Sequence, residues 1–96
     1  MLSRGADPAV AGVTPSDIEI RRNHFYKPPA WKGVWRVKNL FEIKHGQRVL
    51  VEGNIMDGNW TDGQVGFGVV LKTVNQQGSC TWCVAQDITF RYNYIR

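Results

Sequence analysis

Three segments of the chain carry one pattern, apolar-x-apolar-x-x-Asn-x-apolar. It runs through Ile18, Ile20, Asn23 and Phe25, then Val49, Val51, Asn54 and Met56, then Ile88, Phe90, Asn93 and Ile95. The three Asn lie 31 and 39 positions apart. Alternating apolar residues mark the inward face of a short strand. A unit of a few short strands cannot bury that face alone, and stacking unit on unit does bury it. The repeat therefore predicts a solenoid in which like strands pair in parallel, about 4.8 Å apart. Asn tolerates the left-handed region a sharp corner asks for. Stacked Asn side chains also hydrogen-bond along the stack, so Asn23, Asn54 and Asn93 are expected to form a structural ladder.

A second register supports the first. Phe41-Glu42-Ile43-Lys44 precedes the second copy and Val69-Val70-Leu71-Lys72 precedes the third, each closed by Lys. The gap to the following copy grows from 8 residues to 19, which places an inserted loop at about residues 73–86. Residues 1–16 carry Gly and Pro breaks and are expected to be a loop or an incomplete rung; residues 17–96 are expected to be the rungs. No 11-residue stretch sustains a helical apolar period. The expected class is all-β, a parallel solenoid of about two to three rungs. A small β-sandwich or barrel whose strands mimic a repeat is the rival.

The units at residues 18–25, 49–56 and 88–95 resemble rungs of a right-handed parallel β-helix of the pectate-lyase-like superfamily. The stretches SDIEIRRNHF (residues 16–25) and LFEIKHGQRVLVEGN (residues 40–54) are especially similar to bacterial proteins of that kind. The resemblance covers about residues 16–96. It implies three sheets per rung: one with residues 41–44 and 69–72, a second with 18–21, 49–52 and 88–91, and a third after each Asn. Such solenoids need covered ends, and no amphipathic helix is visible at either one, so the chain reads as an internal piece of a longer β-helix. Self-association through exposed strand edges is expected of such a piece.

Charge narrows the partner. The chain is +4 overall, yet residues 21–48 hold eight bases against one acid, Glu42. A basic band of this kind suits a polyanion. Lys44 and Lys72 occupy equivalent outward positions, so two ammonium groups are expected about 5 Å apart, and repulsion between them would tune one as a base. A uronate lyase needs such a base and cations that neutralise the uronate carboxylate. Residues 41–46 are loosely similar to the Lys-bearing strand of β-helix lyases of the alginate lyase and chondroitinase B kind. Where those enzymes carry an Arg partner, this chain offers Lys72. His45 beside Lys44 is a candidate acid/base or sugar contact, whereas His24 is expected to face solvent.

Four Trp (31, 35, 60 and 82) fall in expected loops, where aromatics stack on sugars or pack locally. The stretch from Lys27 to Gly33, with Trp31 and Lys32, is the best binding loop. Glu42, Trp31, Lys32 and Arg48 are the expected substrate-binding residues, with Lys44, Lys72 and His45 the expected catalytic ones. Asp57 and Asp62 are each followed by Gly and read as turn residues. That segment carries only a weak Ca²⁺ signal, with no EF-hand spacing, and no metal site is expected. Cys80 and Cys83 form a lone C-x-x-C without the further ligands zinc needs; packing or bridging within the inserted loop is the expected role.

The functional expectation is a carbohydrate-active or carbohydrate-binding segment acting on acidic polysaccharide, lyase-like if it is an enzyme. A non-catalytic structural or adhesive segment is the alternative. A nucleic-acid binder is the second alternative and loses because no OB-fold, RRM or helix-turn-helix pattern is visible. No apolar run approaches the 18 residues of a membrane span, so no membrane partner is expected. No secretory signal is readable in the first 13 residues; an extracellular or periplasmic setting is expected only if a longer secreted protein contains this chain.

Overall fold

The alternating runs at residues 18–21, 49–52 and 88–91 become strands because each supplies two apolar side chains to one side of the sheet. The structure, a computed structural model, describes residues 7–73 and 77–96. Residues 1–6 of the expected N-terminal loop and 74–76 of the expected insertion lie outside the described residues.

Eight strands follow in order: β1 (Ser16–Arg21), β2 (His24–Tyr26), β3 (Phe41–Ile43), β4 (Gly46–Glu52), β5 (Ile55–Asp57), β6 (Val69–Leu71), β7 (Ala85–Arg91) and β8 (Tyr94–Ile95). Pro29–Trp31 forms one 3₁₀ turn. The protein is all-β, and its strands form three parallel sheets ordered β1-β4-β7, β2-β5-β8 and β3-β6. The chain visits the three sheets in fixed rotation. Each sheet collects the segments expected of it.

The register is that of the repeat. Ile18 pairs with Val49 and Val49 with Ile88; Ile20 pairs with Val51 and Val51 with Phe90. Phe25 pairs with Met56, and Met56 with Ile95. The core is accordingly the middle turn: Val49, Val51 and Met56 are buried with Phe41 and Ile43, while Ile18, Ile20, Phe25, Ile88 and Phe90 pack on them from either side and stay partly exposed. Phe41 anchors both sides, edge-on to Phe25 at 5.3 Å and tilted against Phe90 at 6.3 Å between ring centroids.

Two kinks repeat in every turn. The first puts Asp17, Arg48 and Asp87 at φ of 57°, 51° and 52°. Each directly precedes the paired apolar residues, and the ladder skips it. The second puts Arg22, Gly53 and Tyr92 at φ of 55°, 67° and 55°. The expectation that the Asn themselves take the left-handed conformation is corrected here, because the residue before each Asn takes it. That turn swings the Asn amide along the stack. Asn23 donates its main-chain N–H and its side-chain Nδ2 to Asn54 Oδ1, at 2.9 and 3.1 Å. Asn54 does the same to Asn93 Oδ1, at 3.0 and 2.9 Å. The Nδ2 groups of Asn54 and Asn93 also donate to the carbonyls of Ile20 and Val51 in the turn before.

Candidate functional site: a two-loop basic and aromatic face

Two connections leave the sheets on the same flank. One joins β2 to β3 through residues 27–40, and the other joins β5 to β6 through residues 58–68. Lys27 pins them together. It is buried, its ammonium donates to the Lys38 carbonyl and, at 3.3 Å, to Asn59 Oδ1, and it lies 5.8 Å from the centre of the Trp60 ring. Burial pushes the Lys27 ammonium below its ordinary value, the cost of holding a cation there without a carboxylate. Lys32 sits over the same ring at 5.5 Å.

Further bonds cross the seam. Val37 N–H donates to Asp62 Oδ2 at 2.8 Å, Gly63 N–H to the Val37 carbonyl at 3.0 Å, and Phe67 N–H to Asn39 Oδ1 at 2.9 Å. Approach is close enough to require glycine. A Cβ on Gly58, at φ +80°, would lie 2.6 Å from the Lys27 carbonyl oxygen, and one on Gly66, at φ +76°, would lie 2.7 Å from that of Trp60.

This scaffold holds large side chains out in solvent. Trp35 is 64% exposed and Trp31 40%, with Val34, Val65 and Phe67 also exposed. Lys32, Arg36 and Lys38 are exposed beside them. Among the described residues, no salt bridge reaches these three cations. Much of the remaining basic band is neutralised: Arg21 by Glu19 and Glu52, Lys44 by Glu42, and Arg48 by Asp17. The band expected from the sequence thus resolves into ion-paired strands and a loop face with unpaired charge.

The expected site residues separate. Trp31 and Lys32 lie on the loop face. Lys44 and Lys72 follow the paired residues Ile43 and Leu71, with Lys72 N–H bonded to the Ile43 carbonyl at 3.1 Å. Lys44 Nζ lies 3.3 Å from a carboxylate oxygen, Glu42 Oε1. Glu42, expected among the substrate-binding residues, is buried. His45 is buried as well: Val84 N–H donates to its Nδ1 at 3.2 Å and its Nε2 lies 3.1 Å from the Val13 carbonyl. Its Nδ1 also lies 3.3 Å from the Val84 carbonyl, so the ring clips the chain at residues 13 and 84 to the β3–β4 corner. The role expected of His45, as acid/base or sugar contact, thus falls on a ring that is only 3% exposed. His24 is exposed, as its place after the corner implies, and lies 3.6 Å from Asp57.

Arg48 belongs to a different feature. Its guanidinium makes two bonds to Asp17, at 2.6 and 3.0 Å. This pair and Asp87 border an open groove of about 400 Å³ on the outer face of β1-β4-β7, floored by Leu50 and Thr89. Asp17 and Asp87 escaped the reading of the sequence, although a charged residue stands just before the apolar pair in all three copies.

Asp57 is ion-paired with Arg96 at 3.3 Å, and Asp62 accepts from the Val37 N–H across the loop seam. Among the described residues, no three His, Cys, Asp or Glu gather as a metal site, and no helix is long and apolar enough to cross a membrane. Cys80 and Cys83 are joined in a disulfide within the inserted loop. Comparison of the chain with protein-family models, with curated proteins and with solved structures finds no match.

Proposed function

We propose that the chain folds as a right-handed parallel β-helix of the pectate-lyase-like kind, and that its two-loop face binds an acidic polysaccharide. The fixed rotation through three parallel sheets supports the first part, together with the strong right-handed preference of parallel crossovers. One observation carries the second. Trp31 and Trp35 stand exposed beside Lys32, Arg36 and Lys38, on loops fixed from below by Lys27 and Trp60. Flat apolar rings stack on sugar faces, and unpaired cations meet uronate carboxylates. A rigid platform loses little entropy on binding.

The reading is binding rather than cleavage. Lyase chemistry needs a base and a neutralising cation on one accessible face. Here Lys44 is paired with Glu42, and His45 is enclosed by main chain.

Titration of the chain with polygalacturonate, followed by tryptophan fluorescence, tests this. Saturable binding is expected, weakening as salt rises because exposed charges are screened. The Trp35→Ala, Lys32→Ala double variant should lose about tenfold in affinity. Absorbance of an unsaturated product, followed in the same mixture, would report cleavage. No binding at low salt, or undiminished binding by the double variant, contradicts the proposal.

A further inference from the structure

The free edge of β7 and β8 is selective about what can add to it. Charge alternates along two columns of the stack. The first reads Asp17, Arg48, Asp87, and the second reads Arg21, Glu52, Arg91. Arg48 is paired with Asp17, and Asp87 also acts on its charge. Glu52 takes Arg91 at 2.8 Å and Arg21 at 3.6 Å. Both outer strands therefore carry the same signs, Asp in the first column and Arg in the second. A second copy stacked head to tail would set Asp87 against Asp17 and Arg91 against Arg21. Like charges directly opposite in a sheet repel. The expected self-association through strand edges meets this penalty in both columns.

The same columns state what does fit. A parallel strand beside β7 needs a base opposite Asp87, apolar residues over Ile88 and Phe90, and an acid opposite Arg91. The Asn column extends the match. Asn23 and Asn54 each donate a main-chain N–H and Nδ2 to the Asn of the following turn. Among the described residues, no acceptor is recorded for the Asn93 N–H. An Asn two residues after the acid would supply one.

We propose that the β7–β8 edge takes up, by strand addition, a parallel segment of a partner chain with the pattern base-apolar-x-apolar-acid-x-Asn. Its base pairs with Asp87 and its acid with Arg91. Its Asn Oδ1 accepts from Asn93, and the half-covered Ile88 and Phe90 become enclosed.

A labelled synthetic peptide of residues 46–57 (GQRVLVEGNIMD) carries that pattern and serves as the probe. Fluorescence anisotropy against the full chain should show binding, and a charge-reversed peptide (Arg48→Glu with Glu52→Lys) should bind about tenfold more weakly. In a chain variant with Asp87→Asn and Arg91→Gln, checked for retained fold by circular dichroism, the two peptides should bind within about twofold of each other. That variant leaves Asp17 and Arg21 intact, so discrimination surviving in it would place binding elsewhere and overturn the proposal. Equal binding of both peptides by the unaltered chain, or binding of neither, overturns it too. Sedimentation of the unaltered chain as head-to-tail oligomers would overturn it as well.

Discussion

Asn54 Oδ1 accepts both the main-chain N–H and the side-chain amide of Asn23, a residue 31 positions earlier. Asn54 is itself buried, and its Nδ2 is spent on the Ile20 carbonyl and on Asn93. One side chain therefore satisfies polar groups of the turns on both sides of its own. Asn54→Ala should cost about 2–4 kcal/mol, because it removes four hydrogen bonds at a buried position and leaves partly buried partners unsatisfied. Asn54→Asp should also destabilise, since a carboxylate keeps the acceptors and loses both donors. Urea unfolding measures both, and a loss below about 0.5 kcal/mol for Asn54→Ala would deny the ladder its weight.

The ion-pair columns make stability depend on acid. Arg48, chiefly through its hydrogen bond, holds the Asp17 carboxyl below its ordinary value of 3.8, and Arg91 holds Glu52 below 4.5 in the same way. A carboxyl with a lowered folded pKa contributes stability that is fully present above its unfolded value. That stability is lost as pH falls through the folded one. The melting temperature should therefore hold down to about pH 5 with respect to these groups and decline on further acidification. An Asp17→Asn, Glu52→Gln variant should show a shallower decline. An equally steep one would mean that these pairs are not what acid disrupts.

The two-loop face depends on its glycines. Gly58→Ala forces a Cβ to within 2.6 Å of the Lys27 carbonyl oxygen at a φ of +80°. A cost of about 1–3 kcal/mol follows from the clash and the left-handed backbone together. Polygalacturonate affinity should fall along with stability. The exposed Gly12 also has positive φ, but nothing lies near a Cβ built on it, so Gly12→Ala should cost less. Equal costs at the two positions would remove the close approach as the cause.

The Cys80–Cys83 disulfide closes a loop with a sequence separation of only 3. Short loops lose little entropy on closure, so reduction should lower stability by about 2 kcal/mol or less. The clip of Val84 onto His45 should outlast it. Unfolding curves with and without dithiothreitol test this, and a loss above about 4 kcal/mol would show that the bridge restrains far more chain.

The inward half of the fold can be read from the chain because burial imposes a period. The apolar pairs at residues 18 and 20, 49 and 51, and 88 and 90 announce their own register. The outward half has no such constraint. Nothing about Asp17, Arg48 or Asp87 as residue types marks a left-handed backbone, and only their shared place before the apolar pair betrays the column. His45 was unreadable for another reason. Its partners, Val13 and Val84, are 32 and 39 residues away and contribute main-chain atoms, which carry no sequence signature. The +7 excess of residues 21–48 showed where bases concentrate but not which are cancelled. The partners Asp17 and Glu52 that cancel two of them lie outside that segment.

Parallel stacking in this register is what every other statement rests on, and cysteine cross-linking tests it directly. Glu19 pairs with Leu50, and Leu50 with Thr89, all on the outer face of one sheet. In a Cys80→Ser, Cys83→Ser background, the pairs Glu19→Cys with Leu50→Cys and Leu50→Cys with Thr89→Cys place adjacent strands within disulfide reach, about 4.4–6.8 Å between Cα atoms. Glu19→Cys with Thr89→Cys spans two strand spacings, about 9.6 Å. The account predicts ready oxidation of the first two pairs within one molecule and none of the third. Efficient bridging of Glu19→Cys to Thr89→Cys, or failure of both adjacent pairs, would contradict it.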